Sequence, residues 1–294
     1  MFKLRWGYLI SGIITGFILL VSFFGSLPDG KLHIVFCAVG QGDAVYVRFP
    51  DNRDMLIDGG PNDSVLQCLG RHMPFWDREI NILVNSHPQN DHLKGLVSVL
   101  DRYKVDCVVR SQIAGPGDLY AQFIDAIKKH HVSDRLVTAG EHISVGATSL
   151  SVIWPSASQI ARMQPAAGVL GVSTDTNLND GSLVFLLRYG SFDALFPGDA
   201  DSHVENSYSG DQLADGSVEV LKVPHHGSKT GMTQAFIDWI KPAVSIISVG
   251  KNSYGHPSAE AIDMLQKAGS AIHRTDQEGD IEIISDGVDW SIAP

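Results

Sequence analysis

Two histidines and one aspartate stand close together in residues 86–92, and side chains of these kinds bind transition metals. The segment has the sequence Ser-His-Pro-Gln-Asn-Asp-His, with His87 near its start and Asp91 and His92 at its end. Imidazole nitrogens and a carboxylate together suit a borderline ion such as Zn²⁺ or Mn²⁺. A polar loop with surface histidines would have the same composition, so this segment alone is weak evidence for a metal site.

Other apolar runs also end in Asp or His, and this recurrence favours a metal site over a surface loop. Such strand-like runs end at Asp58, at residues 87–92, at Asp199, at His225 and His226, and, after a short polar loop, at His256. If the strands align in a sheet, all of these groups converge on one rim of it. The remaining histidines stand outside any motif and are interpreted as structural or surface residues.

The elements that position these groups are predicted from hydrophobic periodicity and from Gly, Pro and Asp turns. Strands are predicted at residues 32–37, 44–49, 54–57, 80–85, 106–110, 183–188, 192–196, 218–223 and 244–249. Helices are predicted at residues 64–72, 96–103, 119–131, 233–240 and 258–268, a long surface loop at 155–179 and a hairpin turn at 275–280. The pattern indicates one domain of mixed strands and helices over residues 27–294.

The N-terminal 26 residues predict a membrane anchor or a signal segment. Lys3 and Arg5 precede the run Trp6–Gly25, which has 20 residues without a charge. Such a helix is about 30 Å long, the thickness of a bilayer core. The basic flank favours a cytoplasmic N-terminus, and the segment before Leu27 is a poor cleavage site. We therefore expect an anchored protein whose domain lies outside the cytoplasm, in the periplasm or at the cell surface, with a cleaved, secreted form as the alternative.

Charge and cysteine content narrow the possible partners. The net charge of −11 excludes a general nucleic-acid-binding surface, although a local basic groove stays possible. Cys37, Cys68 and Cys107 lie far apart and do not have the spacing of a zinc ligand set. One disulfide is conceivable in an oxidising compartment, but buried, inert thiols are the favoured interpretation.

The motifs, taken in order, resemble those of the metallo-β-lactamase superfamily, and within it the hydrolase domain of ComEC-type competence proteins. The superfamily signatures are matched by residues 56–60, 87–92 and 196–199, and the ComEC-type motifs by residues 39–44, 179–184, 223–228 and 254–257. The resemblance covers about residues 32–292. It implies a four-layer αββα sandwich with a metal site at one edge of its two sheets.

The resemblance has gaps, and both fall on one of two metal positions. The superfamily pattern is His-x-His-x-Asp-His, but the second His is Gln89 here, and a turn His is missing from residues 177–182. The resemblance therefore implies a divalent metal, Zn or Mn, with one well-formed position and a possible weaker second one. The ligands implied are His87, Asp91, His92, Asp199, His226 and His256.

The same resemblance implies the roles of the catalytic groups. Asp91 would hold a metal-activated water and take its proton. One of His225 and His226 would stabilise developing charge or protonate the leaving group, and the sequence does not decide between them; we assign His225 as catalytic and His226 as a ligand. Asp58 would orient the metal loop from behind the ligands.

Three functions are compatible with these residues. The resemblance implies a phosphodiesterase or nuclease that acts on DNA outside the cytoplasm during uptake. Its partners would be single-stranded DNA or another phosphodiester, the membrane through the N-terminal helix, and a separate DNA-uptake channel. The first alternative is a hydrolase for a lactone, an ester or a β-lactam, because the fold does not fix the substrate. The second is a non-catalytic binding module with a degraded metal site, which Gln89 and the missing His favour.

Overall fold

Two β-sheets pack face to face in the computed structural model, which describes residues 6–25, 27, 29–163, 177–208, 213 and 217–293. The strands are β1 (Leu32–Phe36), β2 (Val45–Arg48), β3 (Asp54–Ile57), β4 (Glu79–Asn85), β5 (Lys104–Arg110), β6 (Ser133–Leu136), β7 (His142–Val145), β8 (Thr148–Trp154), β9 (Val184–Tyr189), β10 (Phe192–Phe196), β11 (Val220–Lys222), β12 (Val244–Ile247), β13 (Ala271–Arg274), β14 (Ile281–Ser285) and β15 (Trp290–Ile292). The first sheet has the order β15-β14-β1-β2-β3-β4-β5-β6, and the second β13-β12-β11-β10-β9-β8-β7.

Helices lie on the outer faces of both sheets. The helices of the described residues are α1 (Trp6–Gly25), α2 (Ser64–His72), α3 (Asn90–Arg102), α4 (Gly117–Lys129), α5 (Ala157–Met163), α6 (Gln234–Ile240), α7 (Ala259–Lys267) and α8 (Thr275–Glu278), and five of them lie on the sheets. Helices α2, α3 and α4 pack on the first sheet, and α6 and α7 on the second. Two mixed sheets between two helical layers agree with the αββα sandwich expected from the sequence.

The strands are apolar on both faces because each face meets another layer. In β1, Ile34 and Phe36 lie in the core between the two sheets, whereas Val35 packs among the residues of α2, α3 and α4. Successive side chains of a strand point to opposite faces, so both faces must be apolar when both are covered. This double burial explains why the strands appear as continuous apolar runs in the sequence.

The predicted convergence at one rim follows from parallel pairing. Strands β3 and β4 are parallel in the first sheet, and β10, β11 and β12 are parallel in the second. Their carboxyl ends therefore lie on one edge of each sheet. The loops that leave these ends contain the Asp and His residues singled out in the sequence.

Three sequence-based expectations about local structure were wrong. Helix α3 begins at Asn90, so Asp91 and His92 lie on its first turn and not in a loop. Within the predicted long loop, Ala157–Met163 forms α5, and residues 164–176 lie outside the described residues. The predicted hairpin turn contains the helix Thr275–Glu278 instead, because the Thr275 hydroxyl donates to the carbonyl of Val249 and fixes this segment to the end of β12.

The N-terminal apolar run forms a helix, but the expected membrane anchor is not supported. Helix α1 spans Trp6–Gly25, and the described side chains in it are exposed. Within the part of the chain that the structure describes, we find no helix that is both long and apolar enough to cross a membrane.

Two of the three cysteines form a disulfide, which corrects the expectation of inert thiols. Cys37, just after β1, is bonded to Cys68 in α2, with their Cα atoms 5.8 Å apart. Cys107 is free. The bond fixes helix α2 to the segment that leads into the Gly-Gln-Gly-Asp motif at residues 40–43.

Candidate metal centre

Four of the six predicted metal ligands converge at the edge where the two sheets meet. Asp91, His92, Asp199 and His226 each offer a donor atom, and these four atoms all lie within 4.8 Å of one another. Asp91 and His92 come from the first turn of α3, Asp199 from the loop after β10 and His226 from the turn after β11. Two imidazoles and two carboxylates form a donor set typical of Zn²⁺ or Mn²⁺.

Asp58 fixes the direction of His92. Its Oδ2 lies 2.8 Å from Nδ1 of His92, and its Oδ1 accepts a hydrogen bond of 2.8 Å from the backbone N–H of Ser86. Because Nδ1 donates to the carboxylate, Nε2 faces the centre, where it lies 3.3 Å from Oδ2 of Asp199. A carboxylate behind a ligand histidine sets the tautomer and raises the basicity of the ligand.

His226 is oriented in a similar way from the second sheet. Its Nδ1 donates to the backbone carbonyl of Ser248 at 2.9 Å, and its Nε2 lies 3.3 Å from Oδ2 of Asp199 and 3.6 Å from Oδ2 of Asp91. The turn places His225 and His226 in the left-handed region, with φ of 48° and 54°. Such angles are costly for residues other than glycine and are found mainly where function requires them.

Several buried polar atoms at the centre have no hydrogen-bond partner among the described residues. They are Nε2 of His87, His92 and His226, and Oδ1 of Asp199. An unpaired polar group in the interior costs about 1–3 kcal/mol, and native proteins rarely leave several of them together. A divalent cation would satisfy these donors, so the residues present fit the metal that the motifs imply.

The charges at the centre determine the protonation of its histidines and therefore how metal affinity depends on pH. Burial lowers the pKa of His92 and His226, but the surrounding carboxylates, Asp199 above all, together outweigh burial, and the pKa of both lies well above the ordinary value of 6.5. Burial alone would raise the pKa of Asp199, but the two histidines hold it well below its usual range. A metal must therefore displace protons from these imidazoles, and its affinity should fall at acidic pH.

Sequence reasoning missed a buried ion pair beneath the ligands. The ammonium of Lys222 is paired with Asp43, lies 3.6 Å from Oδ1 of Asp199, and donates to the carbonyl of Gly198 at 2.9 Å. Asp43 also lies 3.3 Å from Nδ1 of His226. A lone lysine inside the apolar run 218–223 is the sequence signal that could have identified it, because a buried lysine needs a partner.

Gly42 explains why the Gly-Gln-Gly-Asp motif requires glycine before Asp43. A Cβ at Gly42 would lie 2.2 Å from the backbone carbonyl oxygen of Asp91. This close approach lets the backbone N–H of Asp43 donate to the same carbonyl at 3.2 Å. The motif thus holds the first turn of α3 against the loop that contains Asp43.

His87 lies beside the four-residue group but not in it. Its ring centroid is 4.1 Å from that of His92, and its Nδ1 is 3.0 Å from the Ser86 hydroxyl. Next to it, Gln89 Nε2 donates to Asn179 Oδ1 at 2.6 Å. Gln89 stands at the second His of the pattern given above, and Asn179 belongs to the turn 177–182 that lacks a histidine.

His225 and His256 also lie outside the group of four. Nδ1 of His225 is 3.1 Å from Oδ1 of Asp201, and its Nε2 is 4.0 Å from Oδ2 of Asp199. The His256 ring is 5.5 Å from that of His225 and 6.5 Å from that of His226, and it is half-buried. Both residues are partly exposed, so they lie on a solvent-accessible side of the centre.

Comparison with known proteins gives relatives by sequence among competence proteins. The chain is 25% identical to ComE operon protein 3 of Bacillus subtilis, over 93% of this chain and 36% of that protein. It is 25% identical to Recombination protein 2 of Haemophilus influenzae, over 90% of this chain and 30% of that protein. The chain thus spans about a third of the length of these relatives. No family profile matches it.

Solved structures with the same fold are metallo-β-lactamase-fold proteins. The protein YhfI from Bacillus subtilis has a TM-score of 0.54 and 11% identity, over 87% of this chain and all (100%) of that one. Igni18, a metallo hydrolase from Ignicoccus hospitalis, has a TM-score of 0.54 and 12% identity, over 85% and 98% of the two chains. The resemblance found in the sequence is confirmed: the chain has the metallo-β-lactamase fold and is similar to competence proteins of the ComEC type.

Proposed function

We propose that this protein is a metal-dependent phosphodiesterase that cleaves DNA outside the cytoplasm. The observation that supports hydrolysis most directly is the group of four converging donors, Asp91, His92, Asp199 and His226, with both imidazole Nε2 atoms buried and unpaired among the described residues. His225 and His256 are partly exposed beside these ligands, so a substrate would approach the centre from their side.

In this proposal Asp91, His92, Asp199 and His226 bind one Zn or Mn ion, with His256 at the open side. The second position, beside His87, is weak or unused, because Gln89 and Asn179 satisfy each other. The Asp43–Lys222 pair lies below the ligands and balances part of the negative charge of the surrounding carboxylates.

The reaction is divided between the metal and the side chains around it. A divalent ion bound there would make a water molecule acidic enough to attack as hydroxide near neutral pH. Asp91 is about one-third exposed, and His226 and His92 keep its pKa below the usual value although burial acts in the opposite direction. It is therefore ionised and can orient the water and accept its proton.

His225 is placed to protonate the leaving oxygen. Its Nδ1 faces Asp201, so the other ring nitrogen faces the open side of the centre, 3.4 Å from the Asn179 amide. In this proposal His226, whose Nε2 lies 3.3 Å from Asp199, is the metal ligand, and His225 is the general acid. A histidine oriented by a carboxylate is a common general acid.

We prefer DNA as the substrate because of the names of the sequence relatives. We prefer a location outside the cytoplasm because of the disulfide. The sequence relatives are named as competence and recombination proteins. The Cys37–Cys68 bond fits an oxidising compartment. A non-catalytic binding module is the second candidate, and the closed Gln89–Asn179 amide pair is the observation that favours it.

A single set of assays with the full chain tests this function. Bound metal is measured after purification. Cleavage of single-stranded DNA, of bis-p-nitrophenyl phosphate and of a lactone is then measured with added Mn²⁺ or Zn²⁺. We expect both phosphodiesters to be cleaved, and Asp91→Asn to abolish cleavage, whereas Asp125→Asn, at an exposed carboxylate on α4, should not. Turnover of the lactone alone would contradict the proposal, and absence of both metal and activity would favour the binding module.

A further inference from the structure

Two exposed lysines lie beside the candidate centre, although the chain as a whole has a net charge of −11. Lys229 follows the turn after β11, and Lys251 lies just after β12. These strands are adjacent and parallel, so both lysines lie at the same edge of the sheet as His226 and His256. Neither lysine forms an ion pair with another residue that the structure describes.

An aromatic ring is presented on the same edge. Tyr254 is 75% exposed, and its ring centroid is 5.7 Å from that of His256. Exposed aromatic rings next to a reactive centre are available to stack on a planar ligand. The ring thus lies on the surface beside His256 and not in the hydrophobic core.

The loop that contains Tyr254 is held by one side chain. The Asn252 amide nitrogen donates to the carbonyls of Gly250 at 2.9 Å and His256 at 2.8 Å. Its oxygen accepts from the backbone N–H groups of Tyr254 at 3.0 Å and His256 at 3.1 Å. Because these bonds fix the loop in advance, little ordering cost remains when a ligand stacks on the ring.

A cavity of about 430 Å³ lies beside the ring, lined by Gln41, Lys251, Asn252, Ser253 and Tyr254. Gln41 belongs to the Gly-Gln-Gly-Asp motif, and its amide oxygen accepts from the backbone N–H of Gly250 at 3.3 Å. This bond connects the Tyr254 loop to the motif that contains Asp43. The cavity therefore lies between the motif that contains Asp43 and the loop that leads to His256.

We infer that this edge is a subsite for a nucleotide of single-stranded DNA next to the cleaved phosphate. Tyr254 stacks on the nucleobase, and Lys229 and Lys251 contact the flanking phosphates. The inference rests on the proposed phosphodiesterase function and adds to it the residues that bind the strand. Stacking on an aromatic ring is worth about 1–3 kcal/mol per base and requires an unpaired base, so duplex DNA is excluded from the subsite.

The base contribution is tested with Tyr254→Ala and Tyr254→Trp in the full chain, with folding checked by circular dichroism. The substrates are a single-stranded oligonucleotide and the same backbone with abasic residues. We expect Tyr254→Ala to lower kcat/KM for the base-containing strand by about 5- to 160-fold and to leave kcat/KM for the abasic strand unchanged, and we expect Tyr254→Trp to restore the rate. Equal effects on both strands would overturn the inference.

The lysine contribution is tested through salt dependence. Lys229→Met and Lys251→Met should each reduce the slope of log K against log salt by about 0.7, the value for one phosphate contact with a single strand. Lys31→Met is the matched control for the two lysine variants, and Phe75→Ala is the matched control for Tyr254→Ala. Both residues line a separate cavity at the opposite end of the strands. Unchanged slopes in the Lys229 and Lys251 variants would overturn the inference.

Failure of the subsite and failure of the proposed function give different results. If bis-p-nitrophenyl phosphate is cleaved but Tyr254→Ala does not discriminate between the two strands, the function stands and the subsite does not. If no phosphodiester is cleaved, the proposed function fails, and fluorescence anisotropy of the labelled strands still decides the subsite. Tighter binding of the base-containing strand that depends on Tyr254 would then support it.

Discussion

Asp201 is the residue that gives His225 its direction. Its Oδ1 lies 3.1 Å from Nδ1 of His225 and accepts from the Thr230 hydroxyl at 3.2 Å, while its Oδ2 accepts from the Asn177 amide at 2.9 Å. A carboxylate with this many donors is fixed in place. It acts through His225, so we regard it as a positioning residue.

We expect Asp201→Ala to reduce kcat for DNA by about 10²-fold, because general-acid catalysis contributes at least this factor when the leaving group is a poor one. The loss for bis-p-nitrophenyl phosphate should be much smaller, since nitrophenolate leaves without a proton. The measurement is kcat for both substrates in Asp201→Ala, His225→Ala and the double variant. Additive losses in the double variant, or equal losses for the two substrates, would contradict a shared role.

The amide pair predicts how many metal ions the chain binds. Gln89 and Asn179 lie next to His87, whose Nε2 is buried and has no partner among the described residues. Changing both amides to histidine should raise the metal content from one ion per chain to two, since imidazole is a much better ligand than a neutral amide. Metal analysis and the spin-coupled electron paramagnetic resonance signal of an Mn²⁺ pair would measure this. Two ions in the unmodified protein would contradict the prediction.

At the residue level, the sequence was most informative where one side chain already indicates its chemistry. His92, Asp199 and His226 could be selected because Asp and His at strand ends have few structural uses. The Asp43–Lys222 pair could not be selected in the same way. It joins two residues that are 179 positions apart in the sequence, and nothing near either residue indicates that the other is its partner.

At the level of elements, helix α3 shows why the ligand segment was assigned to a loop. Asn90, Asp91 and His92 have low helix propensity, and for this reason the helix was predicted to begin only at residue 96. In the structure the helix begins at Asn90, and the Asp91 carboxylate in its first turn interacts favourably with the helix dipole. The tertiary contact of Gly42 with Asp91 then overrides the local preference.

Helix α6 depends on a buried carboxylate, and this gives a pH prediction. Thr233 precedes the helix, and its backbone N–H and hydroxyl donate to Glu205, at 3.2 and 2.7 Å. Burial raises the pKa of Glu205 from 4.5 to about 7. Because the folded-state pKa lies above the unfolded one, its contribution to stability is complete below about pH 4.5 and is lost as the pH rises through 7.

We therefore expect Glu205→Gln to lose less stability than the unmodified protein between pH 5 and pH 8, by on the order of 1–2 kcal/mol. Glutamine keeps an acceptor for Thr233 and has no charge to desolvate. Urea unfolding at the two pH values measures the difference. The exposed Glu260→Gln on α7 is a control, and an identical pH dependence in Glu205→Gln would contradict the assigned cause.

At the level of the whole molecule, the order of motifs was enough to predict the sandwich, because each motif marks a strand end. The return of β14 and β15 to the first sheet, where β14 pairs with β1, has no comparable signal. The pairing connects the two ends of the domain in sequence, and local patterns contain no information about such distant partners. The disulfide was missed for the same reason.

We expect removal of the Cys37–Cys68 bond to lower the free energy of unfolding by about 3–4 kcal/mol, since the bond closes a loop across a sequence separation of 31. The double variant Cys37→Ala/Cys68→Ala should therefore unfold at a lower urea concentration than the oxidised protein. A reducing agent should have the same effect on the unmodified protein. Cys107→Ala should be neutral; a change of similar size there would contradict the prediction.

The left-handed backbone at His225 and His226 sets a limit on how stable this fold can become. Each such residue costs about 1–2 kcal/mol relative to a relaxed conformation. Glycine would remove the steric part of this cost but would also remove the imidazole. Glycine at both positions would therefore raise the stability of the fold but remove the two imidazoles, so this turn cannot be optimised for stability while it keeps its histidines.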